Sequence, residues 1–248
     1  MSFKPDWVRL SSITLLIAVW WLVAMIADSR LVPGPSAVAA VMWDEARSGR
    51  LGFHLGVTLL RVIAGFTLAF FIGAAIGIAM GRAKWFDRWF DSWLVILLNM
   101  PALVTIILAY VWFGLVEVAA VAAVALNKIP NVVVTVREGV RTLDRGYQEL
   151  AEVYGLDPVT RLRRVVLPQL YPYLMVTTRS GLALIWKIVL VVELLGRSNG
   201  VGFQLQIYFQ LFDVAGILAY AVAFILVVQM IELGILRPLD RRLERWRR

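Results

Sequence analysis

Apolar residues fall in six long blocks, near residues 10–27, 55–80, 91–114, 116–136, 172–195 and 213–236, separated by polar or turn-forming stretches. At about 1.5 Å of rise per residue, blocks of about 20 residues cover the roughly 30 Å of a hydrocarbon core. Such runs predict helices, because lipid offers no partner for unpaired backbone groups and the alternation of a barrel strand is missing. The expected fold is an all-α membrane protein of six transmembrane helices forming a single domain over residues 1–248. The first block has no small-residue cleavage site and runs into Asp28-Ser29-Arg30, so it reads as a retained helix.

The connecting stretches carry their own signals. After the first block, Leu31-Val32-Pro33-Gly34-Pro35-Ser36 breaks the chain, and Ser36 is placed to cap a short helix running to about Ser48 before Gly49. Val38, Val41 and Met42 on one side of that helix, with Asp44, Arg47 and Ser48 on the other, suit an interfacial position. A second turn-rich loop, Gly196 to Gly202, precedes Phe203–Phe212, where apolar residues alternate with Gln204, Gln206 and Gln210. It is either a substrate gate or seat for a delivery protein, or a plain connector with a short interfacial helix.

Lys and Arg sort by side. With the N-terminus inside, the cytoplasmic segments hold Lys4 and Arg9, then Arg82, Lys84 and Arg88, then the arginines between 137 and 164, then the tail from Arg237 to Arg248. The external segments hold only Arg30, Arg47, Arg50 and Arg197. The positive-inside rule therefore puts both termini in the cytoplasm and accounts for the net charge of +8 without nucleic acid. Composition agrees: 60% of the 248 residues are hydrophobic, ten are Trp, none is Cys and one, His54, is His. Thiolate sites and multi-His metal clusters are excluded within one copy. His54 reads as a loop or interface residue.

The polar segment 137–171 carries the most specific pattern. Glu149-Leu150-Ala151 is followed by Gly155-Leu156, and Leu167-Pro168 stands twelve positions beyond the glycine. A helix through Tyr147–Tyr154 is expected to stop at Gly155, and a second one to run from Pro158 to Val166 before Leu167-Pro168 ends it. Two short helices around a glycine make a compact knob that moves as a rigid body. This spacing resembles the EAA loop of ATP-binding-cassette importer permeases, with Leu150 where Ala is usual and Val165 where Ile is usual. Pro33-Gly34-Pro35-Ser36, Thr58-Leu59-Leu60-Arg61 to Gly65-Phe66, and Val192-Glu193-Leu194-Leu195-Gly196 extend the likeness toward the taurine, alkanesulfonate and nitrate branch.

The resemblance implies a type I importer in a bacterial inner membrane: two six-span permease copies, two cytoplasmic ATPases and a periplasmic substrate-binding protein. Residues 137–171 would be the coupling loop, with Glu149, Leu150, Ala151, Gly155, Leu156, Leu167 and Pro168 facing the ATPase. ATP and Mg would sit on that partner and no cofactor on this chain. The sequence accords with this, since it contains no Gly-Lys pair and hence no phosphate loop. The permease would then perform no chemistry of its own.

Charges inside the blocks bear on the cargo, because each is costly at mid-membrane unless paired or wet. Lys128 and Lys187 both fall roughly 13–17 Å below the outer surface. Either they line a pathway for a sulfonate, nitrate or carboxylate, with Trp186, Asn127, Asn131, Asn99, Met100 and Glu193 nearby, or they pair with Glu193 across helices and lock the bundle. Import of a neutral heterocycle such as a vitamin precursor, and an ATP-independent channel or secondary carrier, remain the alternatives.

Overall fold

A computed structural model describes residues 7–236 and 238. Lys4 and the tail arginines Arg237, Arg241, Arg242, Arg245, Arg247 and Arg248, which the charge sorting uses, lie outside the described residues, as does the side chain of Arg9. The described residues are helical, with no strand among them: α1 (Trp7–Ala27), α2 (Pro35–Arg47), α3 (Arg50–Arg82), α4 (Lys84–Asn99), α5 (Ala102–Phe113), α6 (Glu117–Arg141), α7 (Arg145–Val153), α8 (Pro158–Arg161), α9 (Leu167–Gly196), α10 (Val201–Gln210) and α11 (Val214–Ile231). Three helices are long and apolar enough to cross a membrane, or up to five when each of two bent pairs counts as one crossing.

One bent pair breaks the block at 91–114, whose Pro101 leads the sequence to expect a bend in that span. It is α4 and α5, turned 98° from one another at Met100-Pro101. Pro101 has no N–H to continue the ladder and disfavours helical backbone at the residue before it, so Met100 adopts ψ 124° and the helix stops. Pro130, by contrast, sits inside α6 without ending it.

The contacts group into two compact units, one made of residues 1–57 and 199–248, the other of Thr58–Ser198. In the first, α2 packs on α11 and α10 on α11. The helix α2 starts one residue before the expected cap: Gly34 is the N-cap and Pro35, its fixed φ suited to a first turn, opens the helix. Its outer-interface reading is only half the picture, because Val38 and Glu45 are buried. Glu45 accepts from the hydroxyls of Tyr220 at 2.8 Å and Tyr208 at 3.1 Å and pairs with Arg50. Burial, with Glu45 beside it, pushes the Tyr208 hydroxyl up to about 12, so it remains a donor at neutral pH. His54 is no loop residue; it lies in the first turns of α3, buried, and its Nδ1 accepts from the Gly200 amide at 3.0 Å.

The second unit is organised by a ladder of glycines. A Cβ at Gly65, Gly73, Gly77 or Gly81 of α3 would stand 2.5–2.8 Å from a side-chain carbon of Val124, Val132, Val136 or Val140 of α6 respectively. Each glycine meets the valine 59 positions later, so the two helices run parallel in one constant register. Close approach of this kind is how membrane helices gain packing energy where no hydrophobic effect separates them from lipid. The ladder's Val132, Val136 and Val140 also join Leu143, Val166 and Leu170 in one buried cluster that ties α6 to the start of α9.

Gly77→Leu should therefore cost about 1–3 kcal/mol or prevent folding altogether. Gly56→Leu, where a Cβ meets nothing within 4 Å, should leave stability unchanged. Thermal unfolding in detergent, read side by side for the two variants, checks the contrast.

Candidate coupling loop and intramembrane charges

The segment after α6 folds as two short helices, α7 and α8, on either side of Gly155. Asp144 caps α7, its carboxylate accepting from the Gly146 amide at 2.8 Å. The helix ends where Gly155 takes φ +61°, with Leu156 N–H donating to the Ala151 carbonyl at 3.0 Å and Gly155 N–H to that of Glu152 at 3.0 Å. A left-handed residue closing a helix in this way favours glycine, which has no Cβ to strain. Asp157 then caps α8 by accepting from the amides of Val159 and Thr160. These bonds, the Thr160 side chain first among them, hold the fully exposed Asp157 carboxyl below the usual carboxylate range. Arg161 of α8 pairs with Glu152 of α7 at 2.9 Å and braces the two pieces.

The second helix does not end at Leu167-Pro168, as the sequence pattern predicts. A π-helical turn, Leu162–Val166, carries α8 straight into α9. Leu167 N–H donates to the Leu162 carbonyl, the longer spacing of a π turn. Pro168 falls in the first turn of α9, where its missing N–H interrupts no established ladder. Of the sequence-predicted loop residues, Ala151 is buried at 2% exposure. Glu149, Leu150, Gly155 and Leu156 are exposed, as are Tyr147, Val153, Tyr154 and Val159 around them. Leu167 and Pro168 are exposed, and the backbone near them is fixed by Val166 and Leu170, both wholly buried.

The intramembrane residues do not converge on one spot. Glu193 is wholly buried and serves Arg61: the guanidinium lies 2.8 Å from Glu193 Oε1, and the Thr58 hydroxyl donates to Oε2 at 2.9 Å. The expected pairing of Glu193 with Lys128 or Lys187 is not formed. Arg61 also grips Glu117 at 2.6 and 2.9 Å, and Arg197 reaches Glu117 at 2.8 Å. Two arginines and two glutamates thus make a neutral latch joining α3, α6 and the end of α9. Arg61 is the partner that sequence reasoning missed; as the cation in a block otherwise free of charge before Arg82, it signals a buried pair.

Lys128 is buried at 3% exposure, and among the described residues it has neither hydrogen bond nor ion pair. Lys187 is exposed on α9, while its neighbour Trp186 is buried at 7%. Asn127 donates to the carbonyls of Ala102 at 3.4 Å and Ala123 at 3.3 Å, tying α6 to the start of α5. Asn99 is exposed and donates back to Val95 at 2.8 Å, closing α4 beside the half-buried Met100. Asn131 is exposed on α6. Among the described residues no group of His, Asp and Glu side chains is placed to hold a metal ion. Gly196-Arg197-Ser198-Asn199-Gly200 has the spacing of a nucleophile elbow, but it joins two helices and lacks the strand which that turn requires.

Residues 69–245 match the family described as the binding-protein-dependent transport system inner membrane component. The chain belongs to this family. Its relatives include an aliphatic sulfonates transport permease protein by name, SsuC of Escherichia coli (strain K12), 32% identical over 76% of this chain and 72% of the relative. The taurine transport system permease protein TauC of the same organism is 26% identical over 96% of this chain and 88% of its own length. The nitrate import permease protein NrtB of Synechococcus elongatus is 22% identical over 82% and 76%. In fold, this inner membrane component is similar to a chain of the MetNI methionine ABC transporter (TM-score 0.65, 18% identity, 78% of this chain and 98% of that one). A chain of an amino acid ABC transporter is a second match (TM-score 0.62, 21% identity, 76% and 92%).

In this permease, Arg61→Met should cost about 3–5 kcal/mol, because it strands the buried Glu193 carboxylate. Adding Glu193→Leu to that variant should recover most of the loss, measured as the unfolding midpoint in detergent. The cap at Asp157 sets a pH dependence. A depressed carboxyl contributes stability above its unfolded value and loses it as pH falls through the lower folded value. Protection of the Val159 and Thr160 amides, taken relative to their intrinsic exchange at each pH, should accordingly fall in acid, and Asp157→Ala should show the low protection already at neutral pH.

Proposed function

We propose that this permease is the transmembrane subunit of an ATP-driven importer that passes a small organic anion of sulfonate type from an external binding protein into the bacterial cytoplasm. Six crossings with both termini cytoplasmic, two permease copies, and two ATPases that hold ATP and Mg complete the assembly. The relatives named for aliphatic sulfonates, taurine and nitrate support the anionic cargo. The observation that carries the coupling role is the loop: a capped, salt-bridged pair of turns with Ala151 turned inward and an apolar and aromatic rim at Tyr147, Leu150, Val153, Tyr154 and Val159 turned outward.

Such a rim fits a groove on a partner, with Glu149 at its edge available to a partner arginine. Force applied there reaches the membrane helices without slack, because the π turn enters α9 directly and Val166 and Leu170 pack into the cluster with Val132, Val136 and Val140 of α6. Nucleotide-dependent closure of the ATPases would move the two loops together and shift the bundle between outward- and inward-open packings. The permease itself breaks no bond; it converts differences in docking geometry into a population shift.

Glu149→Lys or Gly155→Val should abolish uptake in reconstituted vesicles while the permease still inserts and the binding protein still takes its ligand. Unchanged transport by both variants refutes the coupling role. Purification of the tagged wild type should also bring down an ATPase subunit; a lone polypeptide with full transport activity points instead to a channel or secondary carrier.

A further inference from the structure

Carboxylates on α4, α6 and α9 are matched by guanidinium groups. Glu117 and Glu193 share Arg61 and Arg197, and Asp87, Asp91 and Glu138 share Arg137 and Arg141. Lys128 is a buried cation outside these pairs. It is 3% exposed, and it forms no ion pair with any of these acids. An ammonium kept in an apolar interior needs a compensating charge from somewhere.

A second buried group lies on the helix that the Lys128 stem meets. The Thr177 hydroxyl of α9, at 2% exposure, is without a hydrogen-bond partner among the described residues. Helical threonines in apolar surroundings usually donate back to the carbonyl four residues earlier, as Thr135 and Thr178 do here at 3.0 and 2.8 Å. Thr177 and Gly181 lie one turn apart on one face of α9. At Gly181 a Cβ would stand 3.2 Å from Lys128 Cε and 2.9 Å from the Phe66 ring, so the missing side chain is the notch through which the lysine stem reaches α9.

We propose that this notch reads the cargo's headgroup: the Lys128 ammonium and the Thr177 hydroxyl both donate to one oxyanion, with Phe66 as the apolar wall. The proposal rests on the import reading above and adds a selectivity to it. One cation and one neutral hydroxyl balance a single negative charge. A sulfonate monoanion is therefore accepted, whereas sulfate or phosphate dianions bring a charge that no group in the notch offsets.

The test uses the assembled importer in proteoliposomes, with ethanesulfonate as the probe and ATP hydrolysis followed in parallel. Lys128→Met should cut uptake per ATP hydrolysed by about tenfold or more, and Thr177→Val by about threefold to tenfold, the usual scale for losing a charged and a neutral contact. Thr177→Ser, which keeps the hydroxyl, should stay near wild type. In detergent, ethanesulfonate should raise the unfolding midpoint of the wild type above equimolar gluconate and sulfate, and should not do so for Lys128→Met. Wild-type uptake with equal uptake by Lys128→Met and Thr177→Val overturns the notch and leaves the import reading standing. Failure of the wild type to take up or be stabilised by the probe overturns both.

Discussion

The parallel contact between α3 and α6 sets the frame for the rest of the second unit. Four glycines let the two backbones approach so closely that a single added carbon at any of them would overlap a valine. In lipid, where burying apolar surface gains little over leaving it against acyl chains, this dense contact is the available source of packing energy. It also fixes height. With the register locked at one constant offset, the N-terminal end of α6 brings Glu117 to Arg61, and its C-terminal half brings Val136 and Val140 to the start of α9.

Polar groups follow from that frame by a simple rule. Any charge carried into the apolar part must meet its opposite at a position the backbone already dictates. The Arg61, Glu193, Glu117 and Arg197 latch obeys it, and so does the cluster of Arg137 and Arg141 with Asp87, Asp91 and Glu138 that holds α4 to α6. Lys128 and Thr177 depart from it. Departures of this sort concentrate where a protein must meet something other than itself. The segment around Gly155 is built by the opposite means: its polar backbone ends are capped internally by Asp144 and Asp157, and its apolar side chains face outward.

Much was legible beforehand. The knob at Gly155 was readable because a glycine between two capped helical stretches has one economical conformation, and φ +61° is it. The halt at Met100-Pro101 was half legible: proline announced a bend, but only the neighbours decided that it would be 98°. Leu167-Pro168 misled, since proline after a helical run usually ends it, whereas a π turn carries the chain past it. Ser36 misled for a related reason, as Gly34-Pro35 offered an equally good helix start, its cap two residues earlier. The glycine ladder could have been seen in the four-residue spacing of Gly73, Gly77 and Gly81, but its partner helix could not.

What the sequence alone determined was local and one-dimensional: apolar length, the helical character that lipid imposes on it, the family spacing of the loop, and the chain's lack of thiolate or multi-His chemistry. Those depend on residues close together in the chain, where backbone hydrogen bonding and solvent decide. Only the tertiary structure decided which cation Glu193's charge answers to, that α3 and α6 run glycine against valine, and that Lys128 meets α9 at Gly181, one turn from the buried Thr177. The reason is that pairing in an apolar interior is set by which helices touch and at what height, and that information is shared among residues tens of positions apart.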